Sequence, residues 1–269
     1  MAEPQKLLII GYGNMSGAML AGWLRAGVDP STFAILNRSS KSAPEGVELF
    51  TDVAKAQAFG PFDAVMLGFK PHQLTDLATG FQDLVQGRAV HSLLAGITLA
   101  QLQNAFPDAE AHIRVMPNLA SRINKSPIIL AASNVDEAER SALSSYYDKL
   151  GNAVWLEDES QYDLATALAG SGPGFVYRFI DALSVAGAEL GLDAPQARAL
   201  ALSMVEGAAG LAASSEFSPA ELADKVASPG GMTRQGLNVL DSDDALVSLL
   251  TDTLRATRDR GAELSKGSN

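Results

Sequence analysis

The chain has 269 residues, of which 47% are apolar and 19% charged; that balance supports a sizeable buried core in one or two domains and excludes wholesale disorder. With 20 Lys and Arg against 31 Asp and Glu the formal charge is −11, which argues against a nucleic-acid partner, while leaving room for a small anion seated on backbone N–H groups in a cleft. The absence of cysteine removes disulfides, thiolate nucleophiles and sulfur-ligated metals, and no metal site is expected. Met1 to Lys6 lacks the basic-then-apolar pattern of a targeting segment, and runs such as Ala64–Phe69 are too short to span a bilayer. A cytoplasmic protein with no membrane partner is the expectation.

From Lys6 to about Leu156, strand-length apolar runs alternate with segments of helical period, the pattern of crossovers onto a mostly parallel sheet. Strands are predicted near Leu7–Ile10, Ala34–Leu36, Val47–Leu49, Ala64–Leu67, Ala89–Ser92, Ile113–Met116, Ile128–Leu130 and Ala153–Leu156. Turn or helix segments between them include Met15–Ala26, Gln73–Leu84, Leu99–Ala105 and Asp136–Leu150. The wholly apolar Leu7–Ile10 and Ala64–Leu67 read as central strands covered on both faces. After Asp158 the β-branched runs fade. Phe175, Phe179, Leu183, Ala186 and Leu190 stack along one helical face, and Pro195–Ala213 forms a second helix whose Ala208–Ala213 stretch would let a neighbour approach closely. Pro219–Val226, Thr233–Leu240 and Asp244–Leu264 complete an all-helical part. The expected architecture is α/β: a Rossmann-like dinucleotide-binding domain at 1–158 and a helical substrate-binding and dimerisation domain at 159–269. Surplus apolar stripes favour a homodimer, the other use of each stripe being the domain's own core.

The chain from Leu7 to Gly17 is an apolar strand, a glycine turn and a helix start. Gly11 permits the tight turn, Gly13 removes the side chain that would block a pyrophosphate, and Ser16 stands where close packing favours a small residue. An ordinary strand-to-helix turn would share these letters; the surrounding crossovers favour a cofactor site. Where the second strand ends, Asn37, Arg38 and Ser39 replace the carboxylate that would grip an adenosine ribose, and Lys41 is in reach. A 2′-phosphate is accommodated there, so NADPH is preferred, with NADH accepted. Lys70 and Pro71 follow the fourth strand, Ala95 and Gly96 the fifth, and Asn118 the sixth, all at the edge where such sheets bind ligands. Each is also compatible with plain loop chemistry.

In the helical half, Ala169–Gly174 reads as an elbow. The stretch Val226–Arg234 precedes a helix; Gly230 and Gly231 can offer successive N–H groups to a carboxylate and Thr233 adds a hydroxyl, or the stretch is only a helix cap. His72, His91 and His112 have no convincing catalytic place.

Taken together, Gly11–Met15, Asn37-Arg38, Lys70-Pro71, Ala95-Gly96-Ile97, Arg114–Asn118, Leu168–Pro173 and above all Val226–Thr233 with Gly236-Leu237 make the chain resemble the pyrroline-5-carboxylate reductases over nearly its full length. The resemblance implies hydride reduction of 1-pyrroline-5-carboxylate to L-proline by NADPH or NADH, and intertwined dimers, often assembled into larger rings, with the small imino-acid substrate bound at the dimer interface. It implies that Gly11, Gly13, Asn14 and Met15 belong to the cofactor turn, with Asn118 in the loop beside the cofactor. It also implies that Ser228, Gly230, Gly231 and Thr233 surround the substrate carboxylate, and that the Thr233 hydroxyl lies near the ring nitrogen. Leu119-Ala120, Met204 and Met232 depart from common family residues. Three other readings remain open: reduction of a related cyclic imino acid, a hydroxy-acid dehydrogenase, which would need a proton carrier such as Tyr177 or Lys225, and a catalytically silent dinucleotide sensor.

Overall fold

The computed structural model describes residues 4–39 and 42–266; Lys41 lies outside them. The chain forms two compact units, one running to Ser171 and resuming at Thr257, the other Gly172–Ala256.

The first unit is built on eight strands: β1 (Leu7–Ile10), β2 (Phe33–Leu36), β3 (Glu48–Phe50), β4 (Ala64–Leu67), β5 (Ala89–Ser92), β6 (Ala111–Met116), β7 (Ser126–Ser133) and β8 (Gly151–Trp155). Their order in the sheet is β3-β2-β1-β4-β5-β6-β7-β8. All neighbours are parallel except β6 and β7, so the order turns outward on both sides of the β1–β4 junction. That junction is the switch point, where ligands bind beyond the carboxyl ends of the strands. The helices are α1 (Asn14–Arg25), α2 (Val53–Phe59), α3 (Leu74–Ala78), α4 (Gln82–Val85), α5 (Leu99–Ala105), α6 (Glu137–Asp148) and α7 (Tyr162–Ala165). Thr166–Gly170 is a π turn.

The alternation of β1 divides the core. Leu7 and Ile9 pack with Met19, Leu20 and Trp23 of α1 and Leu143, Tyr146 and Tyr147 of α6. Leu8 and Ile10 face the opposite layer, with Ala56, Leu74 and Leu102. Each such side chain withdrawn from water contributes about 1.5–3 kcal/mol, which is why β1 is apolar at every position. Helix α1 lies so close to the turn at Leu119–Ile123 that a Cβ on Gly22 would run into the Ser121 carbonyl, and Asn124 Nδ2 donates to Gly22 O at 2.8 Å.

The second unit contains α8 (Gly172–Glu189), α9 (Ala194–Ser214), α10 (Pro219–Val226), α11 (Met232–Asp241) and the first half of α12 (Ala245–Lys266). Helices α8 and α9 meet where Gly187 faces Ala197; a Cβ on Gly187 would lie 3.4 Å from the Ala197 Cβ. Ala197, Ala201 and Ser184 are buried there. The Ala208–Ala213 stretch, expected to admit a close neighbour, is mostly exposed in the single chain. The stripe on α8 is not buried within the chain either: Phe179 is 47% and Leu190 90% exposed.

The turn-or-helix segment Gln73–Leu84 resolves into α3, a 3-10 turn at Thr79–Phe81 and α4, since Gly80 in mid-segment weakens a continuous helix. One strand expectation needs correction. Strand β7 extends well beyond Ile128–Leu130 because β6 and β8 pair with it on both sides. Among the described residues no helix is long and apolar enough to cross a membrane, and no group of three or more His, Asp or Glu could hold a metal ion.

Candidate functional site

The glycine turn lies at the carboxyl end of β1, on the switch point. Gly11 adopts φ +93°, and a Cβ there would sit 2.6 Å from Phe69 N and 2.8 Å from Gly68 C, so the turn accepts only glycine. Gly13 is the opposite case. A Cβ on it would meet nothing nearer than Gly68 O at 4.0 Å, leaving open space over the start of α1. Gly13 is the N-cap of α1 and supplies no side-chain cap, so the N–H groups of Asn14, Met15 and Ser16 have no intrahelical acceptor. The first donor past them, Gly17 N, closes onto Gly13 O at 2.9 Å. No acidic residue stands in the first turn of α1, and the helix dipole adds to the attraction for an anion. Ser16 is buried, its hydroxyl without a hydrogen-bond partner. This donor set fits a dinucleotide pyrophosphate.

Asn37 proves to be a strut. Its Oδ1 accepts from Tyr12 N at 3.1 Å, and its Nδ2 donates to Ser39 O at 2.9 Å and Ser39 Oγ at 3.2 Å, tying the end of β2 to the glycine turn. Arg38 beside it is exposed and projects the guanidinium charge at this edge. Lys70 is exposed; its N–H donates to Gln73 Oε1 at 3.2 Å and its carbonyl accepts from Gln73 N, with Pro71 opening that short turn. Past β5, Leu93 N donates to Leu67 O at 2.9 Å, Gly96 takes φ +75° and Ala95 is exposed. The Ala95-Gly96 step thus presents backbone with little side chain.

Asn118 is likewise tied into the fold. It is 5% exposed; its N–H donates to Ser126 Oγ, its Oδ1 accepts from Ala120 N at 2.8 Å, and its Nδ2 donates to Ala169 O at 3.0 Å. It fixes the loop after β6 to the π turn.

In the second unit the Ser228–Thr233 turn ends α10 and starts α11. Gly230 takes φ +72° with nothing within 4 Å of a Cβ position. Gly231 N donates to Ser228 O at 2.9 Å, so this N–H closes the turn and is not the second of two free donors. The donors left by helix geometry are those of Met232, Thr233 and Arg234, because Gly231 caps α11 without a side-chain bond. Thr233 and Ser228 are exposed. Arg234 Nη2 pairs with Asp224 Oδ1 at 2.7 Å, locking α11 to α10. Lys225, one of the two alternative proton carriers, has its ammonium 3.8 Å from the Phe217 ring centroid; the other, Tyr177, is 66% exposed.

The histidines divide by burial. His72 is exposed. His91 Nδ1 lies 2.5 Å from the Tyr147 hydroxyl, and burial holds the imidazole down at about 4; His112 is lowered by burial too, against the opposing hydrogen bond to Phe106 O. His91 and His112 are buried within β5 and β6, whereas His72 stands exposed in the short turn that follows Lys70 at the carboxyl end of β4.

Sequence reading gave no role to Arg114 on β6. It is buried, pairs with Glu159 and stacks on Tyr162. The signal was available: an arginine inside a buried strand demands a partner.

Two family models match the chain: pyrroline-5-carboxylate reductase dimerisation over residues 159–264 and NADP oxidoreductase, coenzyme F420-dependent, over residues 6–96. Pyrroline-5-carboxylate reductase 2 of Bacillus subtilis (strain 168) is 32% identical, with 97% of this chain and 96% of the relative covered. The pyrroline-5-carboxylate reductase of Pseudomonas aeruginosa is 30% identical over 99% and 98%. A solved pyrroline-5-carboxylate reductase structure from Coxiella burnetii superimposes with a TM-score of 0.89 at 31% identity, covering 97% of this chain and 98% of the other.

Proposed function

The chain belongs to the pyrroline-5-carboxylate reductase family, and from that membership and the geometry we propose how it reduces the C=N bond of 1-pyrroline-5-carboxylate to give L-proline. It is an NADP-dependent oxidoreductase. Bound NADPH supplies the hydride. The observation that carries the reading is a repeated device. Two uncapped helix starts, α1 and α11, each follow a glycine held at positive φ, one sized for a pyrophosphate and the other for a small carboxylate.

On the cofactor side, Gly11 and Gly13 shape the turn, and the N–H groups of Asn14 and Met15 hold pyrophosphate oxygens. Arg38, propped by Asn37, takes the 2′-phosphate; NADH forgoes that contact and is the weaker donor. Lys70 and Pro71 border the cofactor, and Ala95 and Gly96 leave space for a flat ring. Asn118 acts by holding its loop rather than by direct contact.

On the substrate side, Gly230 sets the turn, Gly231 closes it on Ser228, and the N–H groups of Met232 and Thr233 bind the carboxylate. The Thr233 hydroxyl orients the ring nitrogen and keeps its proton in place. A protonated cyclic imine is already electrophilic, so alignment and exclusion of water suffice and no strong general acid is needed.

The protein is a homodimer, which the dimerisation match and the exposed apolar faces of α8 and α9 support. A domain boundary at 158/159 is supported by the start of that match at Glu159. Assembly of dimers into a larger ring and a cytoplasmic location complete the proposal.

The test follows oxidation of NADPH by the purified protein with 1-pyrroline-5-carboxylate and measures proline by chromatography. Equimolar proline, lowered in rate by Thr233→Ala, is the expected result. Tight NADPH binding without proline would leave a sensor, and turnover of a 2-hydroxy acid instead would leave a dehydrogenase.

A further inference from the structure

Arg114 is the ion-paired residue of the buried strand β6, which also carries His112, and its side chain is 4% exposed. Its Nη1 donates to Glu159 Oε1 at 2.7 Å, its guanidinium carbon lies 3.6 Å from the Tyr162 ring centroid, and its buried Nη2 has no hydrogen-bond partner. The same Glu159 oxygen accepts the N–H of Leu99 at 2.8 Å. One carboxylate oxygen therefore joins the strand leading to Asn118, the chain entering α7, and the first N–H of α5.

Leu99 ends the loop that carries Ala95 and Gly96. At its other end that loop is fixed to the sheet by the Leu93 to Leu67 hydrogen bond. Between these anchors, the polar contacts of Leu94–Thr98 are with near neighbours: Leu94 N to Ser92 Oγ at 3.2 Å, Ile97 N to Leu94 O at 3.3 Å, and Thr98 with Gln101. Leu94 and Ile97 pack this span into the core, and its far polar anchor is the Glu159 carboxylate, held in place by a buried arginine.

Arg114 is buried while Glu159 is 32% exposed, and a pair that takes a guanidinium out of water is a poor device for stability alone, since apolar side chains of similar volume serve as well or better. This pair is also left incomplete at Nη2. What it provides is position: a charge-assisted bond to one backbone N–H. We infer that Arg114 and Glu159, with Tyr162 stacked beneath the guanidinium, are positioning residues that hold the Leu94–Thr98 loop against the nicotinamide end of the cofactor. The inference rests on the reductase reading for what the loop faces, but not for the tether itself.

The experiment compares Glu159→Ala and Glu159→Gln with the wild-type full-length protein. Amide hydrogen exchange is measured without cofactor, and kcat and KM with NADPH and 1-pyrroline-5-carboxylate. Loss of the acceptor in Glu159→Ala should speed exchange at least ten-fold across 94–99 and leave 228–240 unchanged. It should lower kcat about ten-fold while KM for NADPH stays within about two-fold, since the pyrophosphate and adenosine contacts lie elsewhere. Glu159→Gln keeps an oxygen for Leu99 N–H and should restore the exchange protection and most of kcat; it also serves as the folded variant if the alanine form fails to fold. Unchanged exchange at 94–99 in Glu159→Ala, a glutamine variant no better protected than alanine, or a general loss of protection with kcat per folded molecule intact would each overturn the tether. Absence of wild-type turnover would overturn the functional reading instead, and the exchange data would still decide the tether.

Discussion

Gly230 offers a perturbation whose cost can be worked from backbone geometry alone. It holds φ +72°, and an added Cβ would meet no atom within 4 Å, so Gly230→Ala introduces strain without collision. A Cβ residue in the left-handed region costs about 1–2 kcal/mol. The turn relieves that strain by rotating out of the left-handed region, which moves the peptide bonds leading into α11 and spoils the carboxylate seat. The binding-competent turn is thereby disfavoured about 5- to 30-fold relative to the rotated one, and the apparent affinity for 1-pyrroline-5-carboxylate falls by up to that factor. Asparagine tolerates the left-handed region, so Gly230→Asn should stay within about three-fold of wild type. KM for NADPH should not move in either variant. Gly11→Ala is the mirror control: its Cβ would strike the Phe69 and Gly68 backbone at 2.6 and 2.8 Å, and the damage should appear in NADPH binding. Initial-rate measurements of both KM values on the three variants decide the matter. An equal rise in both KM values for Gly230→Ala, or an asparagine variant as impaired as alanine, would refute the division of labour between the two glycine turns.

Arg38→Ala should weaken NADPH much more than NADH, measured as the ratio of their kcat/KM values; an unchanged ratio removes Arg38 from the 2′-phosphate. His91, held down at about 4 by burial against an ordinary 6.5, is neutral in the folded state, whereas the unfolded chain takes up its proton near 6.5. Its contribution to stability is complete above pH 6.5 and is lost as pH falls toward 4. Over that interval of 6.5 − 4 = 2.5 pH units, at about 1.4 kcal/mol per unit, the loss is about 3 kcal/mol. Urea unfolding of wild type and His91→Gln from pH 7 to 4 should show the stability difference changing by about that amount; a pH-independent difference would contradict it. Val176 and Phe179, three apart on one face of α8, are 46% and 47% exposed, and replacing both with aspartate should shift the sedimenting species from dimer toward monomer; an unchanged sedimentation profile would remove this face from the dimer contact.

The sheet was legible where burial is two-sided. Strands β1 and β4 fall at their expected bounds because every side chain in them must leave water, so their boundaries coincide with the ends of the apolar runs; β5 also falls at its expected bounds, with His91 and Ser92 buried in it. Strand β7 was read short because Ser126, Pro127 and Ser133 do not look like strand residues; they are held by β6 and β8, which local pattern cannot report. The α2 helix went unnamed, although Asp52 caps it by accepting from Lys55 N at 3.0 Å. At the site, the positions were legible but the roles less so. Asn37 and Asn118 were legible as polar groups at the sheet edge, but not the bonds by which their amides hold Tyr12, Ser39, Ala120 and Ala169. The Gly231 N–H looked free and is bonded to Ser228.

What the sequence by itself determined are properties that each residue carries locally: strand and helix periods, turns that need glycine, the missing carboxylate after β2, and the two loops suited to anions. Which donors remain available, which helix faces stay exposed, and why Arg114 stands inside a buried strand were decided only by tertiary structure. A hydrogen bond or ion pair between residues 45 or 60 positions apart, such as those converging on Glu159, is created by the fold, and no property of either partner alone encodes it.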